Sequence, residues 1–175
     1  MDRIKRIQEI KQLITELQTE LFQLNPYAEL PYMSNKMFGE GWSEPYVLSK
    51  CDGLKRDNSA GHDFYSDKLG KVELKSSRLP NKGITYNQCH PYECDYFLFV
   101  NYNTDDGTEE IYLVPSKDIV DSSLFSLSIQ HSRAEGGCYS LNMKTQKNQK
   151  SLANYRIPNF ETLNKIAKEG FDEQN

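Results

Sequence analysis

The chain has 175 residues and a mass of 20.3 kDa, which suits a single domain with one sizeable core and a helical appendage. Its mean hydropathy is −0.73, and no stretch approaches the roughly 18 apolar residues of a membrane span, so we expect no membrane partner. A net charge of −4 argues against indiscriminate coating of nucleic acid but is compatible with a local basic groove.

The first predicted element is an amphipathic helix over residues 1–25, ended by Pro26. Its main apolar residues alternate at spacings of three and four, and they are Ile7, Ile10, Ile14, Leu17, Leu21 and Leu24. This seam is typical of a helix that pairs with a second copy, or of one that packs its stripe on its own domain. Both interpretations stay open here, with the helix as a candidate dimerisation element. The charges spread through this segment predict no secretory signal.

Two further segments precede the predicted sheet. Residues 26–34 contain two prolines and are interpreted as a linker. Residues 35–50 are predicted to form a second helix, with Ser34 or Asn35 as its cap. We expect one domain that begins with this helix and extends to about residue 170.

The strand predictions follow from alternation and from apolar runs. Residues 62–66 and 71–76 form a candidate hairpin around a turn at 67–70. The continuous apolar run at 96–100 is expected to be a central buried strand, with 111–114 as the next strand. The remaining predicted elements are a short helix from Ser116 to Leu124, strand pieces at 139–143 and 155–157, and a closing helix from Asn159 to Lys168. This order predicts an α/β fold with a mixed central β-sheet flanked by helices.

The hairpin carries the residues with the clearest chemistry. Asp63 enters the first strand, and Glu73, Leu74 and Lys75 lie on the second. Alternate side chains of a strand share a face, so we expect Glu73 and Lys75 on one side and Leu74 in the core. Pairing of the two strands brings Asp63 beside them. Two carboxylates next to an ammonium suit Mg²⁺, which is usually held by one or two carboxylates together with waters and phosphate oxygens.

Asp63, nine intervening residues and then the Glu-Leu-Lys triplet at 73–75 resemble the signature of the PD-(D/E)XK nuclease superfamily, in particular its type II restriction endonucleases. The wider order is also similar, since that family often places a helix with a glutamate ahead of the hairpin. Glu44, or Glu40 one turn earlier, occupies that place here. A glutamine-containing segment and a buried strand then follow, here residues 88–100.

The resemblance implies a restriction-endonuclease-like nuclease domain over residues 35–170, which makes a Mg²⁺-dependent, sequence-specific cut in double-stranded DNA. Asp63 and Glu73 would bind the metal. Lys75 would assist the attacking water and the charged transition state, and Glu44 would join this catalytic group. The resemblance also implies 5′-phosphate products, a cytoplasmic location in a bacterium, and a methyltransferase that protects host DNA without being a physical partner.

Other functions remain open at this stage. One alternative is a repair, junction-resolving or RNA-cutting nuclease of the same superfamily, and another is a DNA-binding module that does not cut. Because duplex DNA has two strands and one such site hydrolyses one phosphodiester, a cutter of palindromic targets is expected to be a homodimer.

A second set of polar residues is predicted to contact DNA. Gln88 is a candidate contact to the attacking water or to the DNA backbone, with a structural role as the alternative. The stretch 128–150 is polar and holds four Lys and Arg residues against one acidic residue. The candidates within it are Gln130, Arg133, Lys144 and Lys147. A solvated loop is the alternative interpretation of this stretch.

The cysteines do not follow the pattern of a zinc site. They are Cys51, Cys89, Cys94 and Cys138, and we interpret them as free packed thiols. The spacing of Cys89 and Cys94 lacks the matching second half that zinc sites have. Mg²⁺ is therefore the one cofactor that the sequence predicts.

Overall fold

A long helix stands at the start of the chain in the computed structural model, which describes residues 3–57, 62–78, 84–131 and 137–171. This helix, α1, spans Arg3–Leu24 and matches the predicted segment. None of its residues is buried. The interpretation of its seam as a stripe packed on its own domain is therefore wrong.

The segment that follows α1 belongs to the core and is not a linker. Tyr27 and Leu30 are each only 1% exposed, because they pack among the aromatic residues of the domain. Asn25 donates a 2.8 Å hydrogen bond from Nδ2 to the carbonyl of Thr104, and its Oδ1 accepts one of 2.9 Å from the N–H of Tyr27. These contacts fix the base of α1 to the folded body.

The predicted helix over 35–50 is one helical run with a π-helical turn in its middle. α2 spans Asn35–Phe38, the π turn spans Gly39–Ser43, and α3 spans Glu44–Lys50. Ser34 is the cap, since its hydroxyl accepts from the N–H of Met37. The π turn coincides with the glycine-containing part of the segment, where the sequence favours a regular helix least.

Nine strands lie within the described residues. In chain order they are β1 Lys55–Arg56, β2 Phe64–Ser66, β3 Gly70–Ser77, β4 Thr85–Cys89, β5 Tyr96–Tyr102, β6 Glu109–Pro115, β7 Leu127–His131, β8 Cys138–Asn142 and β9 Arg156–Ile157. Six of them form a mixed sheet in the order β1-β2-β3-β5-β6-β9. β3 and β5 run parallel, and the other neighbours in this sheet are antiparallel. The mixed α/β fold is confirmed.

The predicted hairpin is formed by β2 and β3. Its turn ends at Gly70, where φ is +73°, a left-handed conformation that favours glycine. A Cβ atom at this position would also clash with the carboxylate of Asp95.

A second sheet has the order β4-β8-β7 and is antiparallel throughout. The sequence predicted only one strand piece in this part of the chain. The remaining helices are α4 Ser116–Ile119, which is shorter than predicted, α5 Gln146–Ala153, which was not predicted, and α6 Phe160–Glu169. The described parts of the stretch 128–150 are thus mostly regular structure, and its interpretation as a loop is wrong there.

The main sheet is covered on both faces, which explains the continuous apolar run of β5. Leu98 and Val100 pack into the cluster that contains residues of α3 and α6. Phe97 and Phe99 pack on the other face, in the cluster with residues of the second sheet and α5. All four side chains are fully buried. None of the helices described here has the length and apolar character needed to cross a bilayer.

Candidate functional site

Asp63 is positioned by the strand that follows it in the hairpin. Its backbone N–H donates to the carbonyl of Val72 at 3.2 Å, and its Oδ2 accepts a 2.7 Å hydrogen bond from the N–H of Leu74. The first bond extends the β2–β3 pairing to the residue that precedes β2, and the second orients the carboxylate. The predicted placement of Asp63 beside the second strand is therefore observed.

Glu73 and Lys75 lie on the face of β3 opposite to Leu74, as the strand periodicity predicts. Leu74 packs into the hydrophobic cluster that contains residues of α3 and α6. The ammonium of Lys75 donates a 2.7 Å hydrogen bond to Oε1 of Glu73, and the two side chains are only 15% and 12% exposed. The pair is thus an ion pair largely shielded from solvent.

The electrostatics of this group are shifted by burial and by proximity. Burial, with a further contribution from the nearby Glu73 carboxylate, raises the pKa of Asp63 to about 6. The Leu74 N–H and the Lys75 ammonium act in the opposite direction. Burial lowers the pKa of Lys75, but the charge and the hydrogen bond of Glu73, together with the charge of Asp63, outweigh burial, so the net pKa is above its ordinary value. Lys75 therefore remains an ammonium at neutral pH.

Glu44, on α3, lines the same cavity as Asp63 and Glu73. It is partly buried at the start of α3, and its Oε2 accepts a 2.5 Å hydrogen bond from Nη2 of Arg56. Glu40, in the π turn before it, is exposed. Both residues line the cavity that also holds Asp63 and Glu73, so the helix that the sequence predicted ahead of the hairpin supplies both candidate glutamates.

The cavity between this helical run and β3 has a volume of about 320 Å³. Its charged lining consists of the carboxylates of Glu40, Glu44, Asp63 and Glu73 and the ammoniums of Lys36 and Lys75. Gln88 lines it as well. An excess of carboxylates in a partly enclosed space favours the binding of a cation.

A second cavity of about 500 Å³ continues from the first along β3. Lys75, Ser76 and Gln88 line both cavities, and further along the lining includes Asn87 and Arg78. The two cavities together form a polar groove that passes the carboxylates.

Arg78 is a structural residue of this groove that the sequence analysis did not single out. It donates from Nη1 to the carbonyls of Leu30 and Met33, and from Nη2 to Oδ1 of Asn35 at 2.6 Å. Its guanidinium also lies 4.9 Å from the ring centre of Phe38. Arg78 therefore ties β3 to the segment that carries α2, and it keeps the two walls of the groove together.

Gln88 sits in a β-bulge where β4 pairs with β8, and its φ of +55° is unusual for a residue other than glycine. Gln130 on β7 hydrogen-bonds to this bulge across the second, smaller sheet (below, the small sheet). Its Oε1 accepts from the N–H of Gln88 at 2.8 Å, and its Nε2 donates to Oδ1 of Asn87 at 2.8 Å. Gln130 thus positions Gln88 at the groove, a role that a contact between distant strands creates and that the sequence alone does not indicate.

The other candidates for DNA contact lie apart from the groove or outside the described residues. Lys144 and Lys147 are exposed, and neither lines the two cavities. Lys147 donates to the carbonyl of Ser122. Arg133 falls on 132–136, outside the described residues.

The residues at this site suit a hard cation that takes two ligands from the protein and the rest from water or substrate. They suit less well a metal ion whose ligands all come from the protein. Within the described part of the chain, no group of three or more His, Cys, Asp and Glu side chains is arranged to hold a metal ion. Asp63 and Glu73 offer two carboxylates, which is the number that Mg²⁺ usually takes when waters and phosphate oxygens complete its shell. The four cysteines are free and buried, in agreement with their interpretation as packed thiols.

Comparison with known proteins adds no family assignment. No protein-family model matches the sequence, and a search of curated proteins gives no match. The functional interpretation therefore depends on the geometry of the groove and on the resemblance of its motif.

Proposed function

We propose that this protein is a Mg²⁺-dependent endonuclease that hydrolyses phosphodiester bonds in double-stranded DNA at specific sequences, as type II restriction enzymes do. The nuclease domain would span residues 35–170 and have a restriction-endonuclease-like fold. The observation that carries the proposal is the convergence of Asp63, Glu73 and Lys75 at one polar groove, with an order along the chain that resembles the PD-(D/E)XK signature.

The carboxylates of Asp63 and Glu73 would hold the metal. When bound there, Mg²⁺ would act as a Lewis acid on a phosphate oxygen and lower the pKa of a bound water. The pKa of Asp63 is raised by burial and further by the charge of Glu73, and a cation between the two carboxylates would offset both effects, which supports this assignment. The hydrogen bond from the Leu74 N–H fixes the orientation of the Asp63 carboxylate before any cation arrives.

Lys75 would orient the attacking water and stabilise the charge that develops on the phosphate. The Glu73 carboxylate holds its ammonium at 2.7 Å, so the charge is fixed in position and costs little reorganisation during the reaction. The raised pKa of Lys75 favours the charged form, which supports electrostatic stabilisation over proton abstraction by this residue.

The acidic cavity also accounts for a strict requirement for the metal. Four carboxylates face two ammoniums there, so a phosphodiester, itself an anion, would be repelled from the cavity. Neutralisation by a divalent cation would remove this barrier. Glu44 would be an additional member of the site, which Arg56 now holds at the cavity wall.

Double-stranded DNA would lie along the polar groove, with the small sheet as one wall. Gln88 faces both parts of this groove and is our candidate contact to the DNA backbone or to the attacking water. Lys144, Lys147 and Arg133 would approach phosphates farther out, while Gln130 would act through the position of Gln88. In this account the protein works in the bacterial cytoplasm, beside a methyltransferase that protects host DNA.

The proposal is tested by digestion of plasmid and phage DNA with the purified protein and Mg²⁺. We expect discrete fragments whose ends share one sequence and carry 5′-phosphates. Cutting that depends on DNA structure, or cutting of RNA, would instead indicate a repair, junction-resolving or RNA-directed nuclease. Binding without any cutting would contradict the enzymatic proposal.

A further inference from the structure

Helix α1 presents a continuous apolar seam to solvent. The six seam side chains are between 43% and 75% exposed, and they are Ile7, Ile10, Ile14, Leu17, Leu21 and Leu24. No residue of Arg3–Leu24 is buried against the described part of the chain. A helix of this length extends about 33 Å, so the seam forms a long apolar stripe of the kind that marks an interaction surface.

The seam belongs to a helix with a fixed base. The N–H of Asn25 donates to the carbonyl of Leu21 at 2.8 Å, so the helical hydrogen bonds continue into the segment that is docked on the body. Asn25 and Tyr27 are both buried there. α1 is therefore an extension of the folded domain with a preformed interaction surface, which lowers the entropy cost of binding.

The charges of α1 are divided between its two halves. Residues 3–12 carry four basic side chains and one acidic side chain, whereas residues 13–24 carry Glu16 and Glu20 and no basic side chain. The first turn has no acidic residue and the last turn no basic residue. This distribution opposes the dipole of the helix itself, because an N-terminus favours negative charge and a C-terminus positive charge.

An antiparallel partner helix of the same sequence brings opposite charges next to both halves of α1. It places the acidic half of one helix beside the basic half of the other, and it sets the two helix dipoles in opposite directions. A parallel pair would instead place the basic halves of the two helices side by side, with Arg6 next to the partner's Lys11, where the like charges repel. We propose that α1 pairs with α1 of a second copy of this chain in the antiparallel orientation. The proposal rests on α1 alone and does not depend on the nuclease activity.

The antiparallel seam has a defined register. When the six apolar positions are reversed onto themselves, Ile7 meets the partner's Leu24, Ile10 meets the partner's Leu21, and Ile14 meets the partner's Leu17. All six positions are then covered by a partner, as knobs-into-holes packing requires.

Self-association is measured first, by sedimentation equilibrium of the full-length chain. We expect a reversible dimer, and Ile14→Lys at the centre of the seam is expected to weaken it by about tenfold or more. Gln12→Lys is the matched control, because it adds the same charge on the opposite face and should leave the dimer intact. No residue of α1 is buried, so neither variant disturbs the core. A monomeric wild-type protein, or a dimer that Ile14→Lys leaves unchanged, would overturn the proposal.

Orientation is measured by disulfide cross-linking of full-length variants. The four native cysteines are buried, so an added cysteine on α1 is the accessible thiol. An equimolar mixture of the Ile10→Cys and Leu21→Cys proteins is expected to form a mixed disulfide about tenfold or more faster than either protein links to itself. Preferential linkage of Ile10→Cys to its own copy would indicate a parallel pair and would contradict the antiparallel arrangement.

Discussion

The backbone N–H of Leu74 donates a 2.7 Å hydrogen bond to the carboxylate of Asp63, so the strand that carries Glu73 and Lys75 also orients the carboxylate that precedes it. The side chain of Leu74 packs in the hydrophobic cluster that contains residues of α3 and α6. Core packing on one face of β3 therefore fixes the geometry of the charged group on the other face. We expect this group to be preorganised in the absence of ligand.

Asp63 is expected to titrate near pH 6 in the metal-free protein, because of burial and of the charge on Glu73. Glu73→Gln removes that charge and should lower the pKa of Asp63. Carbon-detected NMR of the aspartate carboxyl groups measures both values. A pKa near the ordinary 3.8 for Asp63 in the wild-type protein would contradict the geometry described above.

The same shift predicts a pH-dependent effect on stability. The pKa of Asp63 is higher in the folded than in the unfolded protein, so its contribution to stability is fully present below about pH 4 and is lost as the pH rises through about 6. Asp63→Asn should raise the free energy of unfolding by about 1–3 kcal/mol at pH 7 and by little at pH 4. Urea unfolding at the two pH values tests this, and an equal effect at both would count against it.

Cleavage is expected to require Mg²⁺ or Mn²⁺. Asp63→Asn and Glu73→Gln should each lower the rate by about 10²-fold or more, since each removes a charged ligand. Ca²⁺ should support DNA binding with little cutting, because its looser coordination suits this chemistry poorly. A plasmid assay with each metal measures the effect, and full activity after exhaustive chelation would disprove the metal requirement.

Glu44 is expected to act directly at the cavity. Glu44→Gln should lower the cleavage rate by about tenfold or more, as the loss of a proton-handling group does. Arg56→Ala is the companion variant, because it removes the partner of Glu44 and leaves the carboxylate in place. Single-turnover rates compare the two. Equal losses would show that Glu44 acts through its ion pair and not through its own carboxylate.

Two variants of Gln88 separate the effect of its backbone conformation on stability from the effect of its side chain on cleavage. Its φ of +55° costs a residue with a side chain about 1 kcal/mol or more, so Gln88→Gly should raise the free energy of unfolding by about 1 kcal/mol. Gln88→Ala keeps the strain and should not stabilise the protein. Both variants should cut more slowly if the amide contacts DNA or water. Normal cutting by both would leave Gln88 with only a structural role.

The main hairpin and the central strand could be predicted from local patterns. The alternation at 73–75 separates the charged face from the core face, and the apolar run of β5 follows from burial on both sides. These features depend on strand periodicity, which a sequence displays directly.

The small sheet and the bulge could not be predicted in the same way. Asn148 is fully buried in α5, where its side chain donates to the carbonyls of Ser126 and Asn142 and accepts from the N–H of Ser126. A polar residue that satisfies buried backbone groups is indistinguishable by composition from a loop residue. Gln88 has a positive φ, and its backbone N–H donates to the side chain of Gln130, 42 positions away, a contact that no local pattern indicates.

The most direct test of the proposed function is the single-turnover rate of DNA cleavage by Lys75→Ala in Mg²⁺. Lys71→Ala is the matched control, because Lys71 is on the same strand but is exposed and does not line the cavity. We predict a loss of about 10²-fold or more for Lys75→Ala. DNA binding in Ca²⁺ should change only by about the effect of one phosphate contact, and Lys71→Ala should cut normally. A normal cleavage rate for Lys75→Ala would contradict the account and leave Lys75 and Glu73 as a structural ion pair.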